Sequence, residues 1–403
     1  MSAMPYHARA CPICGSADRR VVFRQEFAAV DQATPVTGYD VAVCERCGGS
    51  YADGIPDQAA FDRYYRDMSK YEYAQRGGAE SDYDSRRLAL IAGIVAPVIR
   101  ERASSEARIL DVGCASGRLL ANIRELGFPH VIGLDPSPAC AATASRLYGI
   151  DVRTMTLGEI ARTGEPFDVV IMVGVLEHLR DLDSAFDHLR AILPPGGLLY
   201  VEVPDVTAFA DWPNAPYQDF STEHINFFSP VSLSNLMLRH GFARVFLERN
   251  HREQSYRTVM SNVSAVYRKE DVPAQPAMAF DRDSAAGLER YLAQCATDDA
   301  RLRAAIDAVV DAGRPILVWG VGTHTSRLMA TSRLAEADIV AFIESNSRYQ
   351  GKTLHGRPIL APEALKQHHE PVLISSRVFQ NEIAEQIRGD LGCPNELVLL
   401  YNV

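Results

Sequence analysis

The run Arg108-Ile-Leu-Asp111-Val-Gly113-Cys-Ala115-Ser-Gly117-Arg118 constrains the fold more than any other part of the sequence. An apolar stretch ends in an acidic residue, small residues follow, and LLANIRELG continues at helical spacing. A strand, a tight turn and a helix therefore meet here, and small side chains let a ligand approach the backbone. A second apolar strand, VIGLD at 131–135, ends in Asp135, eighteen residues after Gly117. A carboxylate at the end of a second strand is placed to accept hydrogen bonds from a ribose diol. A dinucleotide loop would favour G-x-G-x-x-G, whereas the run here is Gly-Cys-Ala-Ser-Gly.

The same alternation continues through FDVVIMVG (167–174), LLYVEVP (198–204) and a last pair, RVFLER and SAVYRK. Strands alternating with helices predict an α/β fold, a mostly parallel, doubly wound sheet with helices on both faces. Residues 61–268 form this block, and 61–105 are a helical lead-in rich in tyrosine (Tyr64, Tyr65, Tyr71, Tyr73, Tyr83). Residues 269–312 hold a Pro/Ala/Asp-rich linker and a long helix with Leu288, Leu292, Cys295, Leu302 and Ile306 at helical spacing. Residues 313–403 read as a second, Rossmann-like α/β unit: PILVWGVG, HTSRLMATSRL, DIVAFIES and PVLISS. Its Gly320-Val-Gly322-Thr-His324-Thr325 is a partial dinucleotide fingerprint, with Glu344 ending the next strand and Thr325 in place of the third glycine.

Residues 1–60 carry two cysteine pairs, Cys11-Pro-Ile-Cys14 and Cys44-Glu-Arg-Cys47, each followed by glycine. Two C-x-x-C turns supply four thiolates, the ligand set of tetrahedral zinc. Four protein ligands leave no open position for catalysis, so such an ion folds a small module. Cys114, Cys140, Cys295 and Cys393 sit in apolar segments and read as buried free thiols.

Composition narrows the function. Lys and Arg number 41 against 51 Asp and Glu, a net charge of −10 over 403 residues. An acidic surface argues against a nucleic-acid face or a polybasic membrane patch. The longest apolar run, Leu88 to Ile99, is too short to cross a bilayer, and MSAMPYHARAC lacks a signal-peptide pattern. A cytoplasmic location is expected.

Residues 85–268 resemble class I methyltransferases that use S-adenosylmethionine, through the 111–117 loop as motif I and Asp135 ending strand two. Four further phrases agree in order: Leu134-Asp-Pro-Ser137, Phe167-Asp168, Val175-Leu-Glu-His178 and Leu193-Pro-Pro-Gly-Gly197. The resemblance implies a seven-stranded sheet. It implies that Asp111, Gly113, Cys114, Ala115 and Gly117 line the methionine part of the cofactor, that Asp135 binds the ribose, and that Pro136 lies beside the adenine. Thr156 and Leu157 would flank the adenine, and Met172 and Val173 would lie under the sulfonium. Glu177 and His178 read as structural residues that begin a helix.

The order of the three blocks, with Glu223-His-Ile-Asn-Phe-Phe-Ser229 after strand five, resembles bacterial sugar C-methyltransferases. That resemblance implies a nucleotide-linked keto-sugar substrate, His224 as the base beside the ketone, and Glu223 as its orienter or a substrate contact. Ser221-Thr222 stand where the family has Tyr-His, and a tyrosine from the helical lead-in, Tyr71 or Tyr73, is the candidate replacement. O- or N-methylation of a sugar or another small metabolite is the alternative within enzymes. The alternatives of other kinds are a non-catalytic zinc- and nucleotide-binding scaffold and an NAD-dependent enzyme working through the C-terminal unit.

Overall fold

A computed structural model describes residues 8–30, 34–68, 77–212, 214–255, 258–271 and 277–401. The chain opens with three strands, β1 (Arg19–Glu26), β2 (Gly38–Cys44) and β3 (Ser50–Asp53), followed by helices α1 (Gln58–Met68) and α2 (Asp82–Arg102). The central block runs β4 (Ile109–Val112), α3 (Arg118–Glu125), β5 (Val131–Leu134), α4 (Pro138–Tyr148), β6 (Asp151–Arg153) and α5 (Leu157–Arg162). It continues with β7 (Val169–Val173), α6 (Leu182–Ile192), β8 (Leu198–Pro204), a two-residue strand β9 (Asn226–Phe227) and α7 (Pro230–Arg239). The long hairpin β10 (Phe242–Ser255) and β11 (Thr258–Lys269) closes it, and α8 (Arg282–Asp311) leads away. The last block is β12 (Ile316–Trp319), α9 (Thr323–Thr331), β13 (Ile339–Ile343), β14 (Thr353–Leu354), β15 (Arg357–Leu360), β16 (Val372–Ile374), α10 (Gln380–Glu385) and β17 (Leu397–Leu399).

These strands form three sheets. The central one has seven strands in the order β10-β11-β8-β7-β4-β5-β6. Pairing is parallel from β8 to β6 and antiparallel at β11. Its buried strands are nearly continuous Val, Ile and Leu, as expected when helices cover both faces. One core layer packs α6 and α7 residues such as Phe186 and Leu236 on Leu110 and Val170. The other packs Ile91 and Val95 of α2 on Ile109 and Ile171. Strand order reverses between β4 and β7, so a ligand crevice opens at their carboxyl ends.

The N-terminal sheet reads β1-β2-β3-β9. Its fourth strand comes from beyond residue 220 of the chain, with Ser50 paired to Phe227 and Tyr51 to Asn226. The C-terminal sheet, β14-β15-β13-β12-β16-β17, is parallel except at β14. The long helix expected after the linker is α8, and Leu288, Cys295, Leu302 and Ile306 are its buried face. Cys114, Cys140, Cys295 and Cys393 are buried free thiols, as the sequence predicts. Among the described residues, no helix is long and apolar enough to cross a membrane.

Candidate active site

The loop after β4 turns sharply because three of its residues take left-handed backbone: Gly113 (φ 73°), Ala115 (φ 48°) and Gly117 (φ 78°). A Cβ on Gly113 would stand 2.8 Å from Val175 Cγ2, so glycine is what lets the β4 loop pass the β7 loop. Gly117 begins α3. Asp135, nearly buried at the end of β5, accepts hydrogen bonds from the Ala115 and Ser137 amides at 2.9 Å each. The carboxylate is thus fixed against the small-residue loop. Burial, reinforced by Asp135, pushes the Asp111 carboxyl well above the ordinary range.

Other residues predicted for a cofactor follow β4 and β5 or stand near the ends of β6 and β7. Cys114 is buried, and Pro136 and Ala115 are half-buried beside it. Met172 is fully buried in the sheet core, so Val173 and Gly174 present the end of β7 to the crevice. Thr156 caps α5, accepting from the Glu159 amide while Glu159 accepts from Thr156. Leu157 is half-buried behind that cap.

A second group of side chains gathers just past β7. One ligand atom each from Glu177, His178 and His224 lie within 4.8 Å of one another. The His178 and His224 rings meet edge to face, with centroids 4.9 Å apart at 76°. His178 Nδ1 contacts the Tyr65 hydroxyl at 2.8 Å and the Glu223 carbonyl at 3.1 Å. Tyr64 donates to Glu223 Oε1 at 3.0 Å. Burial, with Glu223 next, pushes the Tyr64 hydroxyl well above its ordinary value.

His224 stands against His178 while the Glu223 carboxylate is held by Tyr64, so the neighbours differ from those expected. His178, read as a structural residue, packs on His224. The tyrosines are Tyr64 and Tyr65 of α1, while Tyr71 and Tyr73 lie outside the described residues. The tyrosine-rich lead-in was the available signal. Ser221 holds the turn by accepting from the Glu223 and His224 amides at 3.2 and 2.9 Å.

The N-terminal sheet fixes this turn. Tyr39 donates to the Ser221 carbonyl at 2.9 Å, and Gln25 to the Phe220 carbonyl at 2.9 Å. Buried Arg9 donates to the Ala52 carbonyl and to Asn226 Oδ1, both at 2.8 Å. Asn226 in turn donates to the carbonyls of Leu176 and Leu179 at 2.7 and 2.8 Å. One side chain thus ties the His224 segment to the His178 segment. Burial lowers the Arg9 guanidinium to about 9.

The four paired cysteines converge at the far end of the N-terminal sheet. Cys11 and Cys47 sulfurs stand 3.7 Å apart, and those of Cys14 and Cys44 3.5 Å. Sulfurs held at ~2.3 Å from one tetrahedral zinc stand ~3.8 Å from each other, so the donor set fits zinc. Cys11 is lowered to about 6, chiefly by the hydrogen bond to Cys47.

In the C-terminal unit, Glu344 accepts from the Val321 amide at 3.1 Å and the Asn346 amide at 2.8 Å. His324 is buried in the first turn of α9 against Tyr401.

Residues 83–245 match the family described as "Methyltransferase domain", and residues 313–399 match "C2185-like, N-terminal". Over 275 residues the chain is 26% identical to C-methyltransferase NovU of Streptomyces niveus, covering 64% of each. It is 35% identical over 99 residues to a ubiquinone biosynthesis O-methyltransferase of Rhizobium rhizogenes, covering 23% of this chain and 40% of that one. The chain therefore spans about two fifths of the length of the ubiquinone-type relatives it matches. The solved 1,6-didemethyltoxoflavin-N1-methyltransferase of Burkholderia thailandensis aligns with 61% of this chain and 100% of its own, at 19% identity and TM-score 0.41. With the seven-stranded order, the β4 loop and Asp135 in place, residues 83–245 are a class I S-adenosylmethionine-dependent methyltransferase domain.

Proposed function

We propose that this chain transfers a methyl group from S-adenosylmethionine to the carbon beside the ketone of a nucleotide-linked sugar, with His224 as base. The observation that carries the reading is the gathering of His224, His178 and Glu177 just past β7, in the loop whose Val175 lies against Gly113 of the β4 loop.

S-adenosylmethionine, when bound, supplies an electrophilic methyl carbon on a sulfonium. Gly113 to Gly117 and Asp135 hold and orient it. His224 removes a proton from the carbon next to the ketone, a step worth ~10²–10⁴-fold when a base is well placed. The electron pair released forms the enolate, whose carbon attacks the methyl group. The new C–C bond forms as the methyl–sulfur bond breaks, leaving S-adenosylhomocysteine and a proton on His224. Glu223, oriented by Tyr64, contacts the substrate or steadies the protonated imidazole.

The four cysteines hold a structural zinc ion that folds residues 1–60, and this block positions the His224 turn. Thiolates kept reduced suit the cytoplasm. The C-terminal unit, 313–403, either helps to enclose the substrate or supports the fold.

The second reading is O-methylation, favoured by the likeness to ubiquinone biosynthesis O-methyltransferases. One experiment separates the two. The protein is incubated in D₂O with S-adenosylmethionine and a panel of nucleotide-linked keto-sugars, and products are weighed by mass spectrometry. A product heavier by one methyl, with deuterium exchange beside the ketone that His224→Ala abolishes, supports carbon methylation. Methyl transfer without exchange replaces it by transfer to oxygen or nitrogen. A chain that forms no S-adenosylhomocysteine with any substrate is a scaffold instead.

A further inference from the structure

We propose that Glu177, His178 and His224 bind a divalent transition-metal ion, and that this ion switches the proton-transfer chemistry of the site off. The binding follows from the geometry alone, while the inhibition rests on His224 acting as base.

The three ligand atoms lie within 4.8 Å of one another. Ligands bound at ~2.0–2.2 Å stand ~3–3.6 Å apart around a tetrahedral or octahedral ion, so side-chain rotations of about 1 Å close the set. The backbones are already held together. Asn226 bonds both the Leu176 and Leu179 carbonyls, and the Ile225 amide donates to the Glu177 carbonyl at 2.8 Å. The two ligand segments therefore cannot drift apart without breaking buried hydrogen bonds.

The outer contacts of His178 match those of a metal-bound imidazole. Its Nδ1 faces the Glu223 carbonyl at 3.1 Å. In the tautomer with its hydrogen on Nδ1, that N–H is shared between this carbonyl and the Tyr65 hydroxyl at 2.8 Å, and Nε2 keeps its lone pair. A histidine that donates one ring N–H to a carbonyl and offers the other nitrogen is the usual arrangement around protein metals.

Ligand type and burial select the ion. Two imidazoles and one carboxylate suit zinc, cobalt, nickel or ferrous iron rather than magnesium or calcium. Glu177 and His178 are 3% and 8% exposed, so bulk water does not compete freely at the site. An imidazole whose lone pair is on a metal has none for a proton, so an ion held by His224 removes the base.

Protein with its four-cysteine site filled by zinc is titrated with cobalt chloride, followed by calorimetry and visible absorption. We expect one further equivalent per chain, with weak d–d bands and none of the thiolate charge-transfer absorption that a cysteine site gives. Glu177→Gln and His178→Gln each weaken that equivalent by at least about tenfold, since even outer contacts of a metal ligand are worth that much. His224→Gln does the same, and because His224 is partly exposed this variant keeps its fold, checked by an unchanged unfolding midpoint. Methyl transfer falls in step with occupancy and recovers when a chelator strips the second ion.

Absence of a second equivalent overturns the site. So does a second equivalent that His224→Gln leaves unchanged. A bound ion that leaves the rate unchanged or raises it overturns the inhibition. If the chain proves to methylate no sugar, the binding titration still decides the site, so the two readings fail separately.

Discussion

Arg327 lies over the ring of Tyr217, its guanidinium carbon 4.4 Å from the ring centre. The same ring stacks on Phe23 at 4.6 Å and 7°. Tyr217 belongs to the segment that leads into Glu223 and His224, and it sits at φ 59°, a backbone region costing about 1–2 kcal/mol outside glycine. Residues from all three sheets' blocks thus meet on one strained position. Arg327 is itself buried and paired with Asp299 at 2.7 Å. Arg327→Ala breaks a buried pair, and we expect a loss of ~3–5 kcal/mol in urea unfolding. If the contact also positions the His224 turn, turnover falls while affinity for S-adenosylhomocysteine holds. A destabilised variant with unchanged kcat at low temperature would show that the contact only supports the fold.

What the sequence reveals here follows the range of the interactions. The β4 loop is legible because its conformational demand is local: small residues at Gly113, Ala115 and Gly117 each take positive φ within five positions. The cysteine pairs are legible because each C-x-x-C turn is self-contained. The surroundings of His224 are not. Tyr64 reaches Glu223 across 159 residues and Tyr65 reaches His178 across 113. No periodicity within α1 states which of its neighbours lies across the crevice, so one tyrosine of a tyrosine-rich segment cannot be told from another. His178 is hidden for a related reason. A histidine in the turn after a strand has the same local pattern whether it packs or reacts, and only the arrival of β9 brings His224 against it. That arrival is itself long-range, since β9 completes a sheet begun near residue 19.

Asp135 accepts from two amides, one of which belongs to the cofactor loop. Replacing it with alanine removes the proposed ribose acceptor and leaves both donors without their partner. Cofactor affinity should fall by ~1–3 kcal/mol, the range for a hydrogen bond to a charged group. Calorimetry with S-adenosylhomocysteine measures this directly, and an unchanged affinity would take Asp135 out of the site.

Tyr64→Phe removes one hydroxyl, the donor to Glu223 Oε1. The ring stays, so packing against Tyr65 is retained. A nearly buried carboxylate deprived of a donor becomes harder to keep ionised. The expected result is a kcat lowered about 5–150-fold, from a loss of ~1–3 kcal/mol, with the acid limb of the pH–rate profile moved upward. A purely structural Tyr64 would change stability without moving that limb.

Cys44→Ser should lose the metal, measured by elemental analysis of purified protein. The consequence should reach the active site, because β3 holds β9 and Tyr39 holds the Ser221 carbonyl. Methyl transfer should then fall by far more than affinity for S-adenosylhomocysteine, whose proposed site rests on β4 and β5. Parallel losses in both would mean that the cysteine module supports the entire central sheet rather than the His224 turn.

The C-terminal unit makes its own prediction about acid. His324 is buried, and burial together with Arg327 lowers its imidazole from 6.5 to about 3. Its Nδ1 has no hydrogen-bond partner among the described residues, while its other nitrogen meets the Tyr401 hydroxyl. The folded form therefore holds His324 neutral. Below pH 6.5 the unfolded chain binds a proton that the folded chain refuses until about pH 3, so stability is lost as pH falls through that window. Between pH 7 and 5 the loss from this group is about 2 kcal/mol, at 1.36 per pK unit. His324→Gln keeps a polar side chain of similar reach and cannot take up the proton. In urea unfolding at a series of pH values, the wild type should lose stability toward pH 5 more steeply than this variant. Parallel curves would mean that His324 is as easily protonated folded as unfolded, and that the buried histidine at the start of α9 is solvated after all.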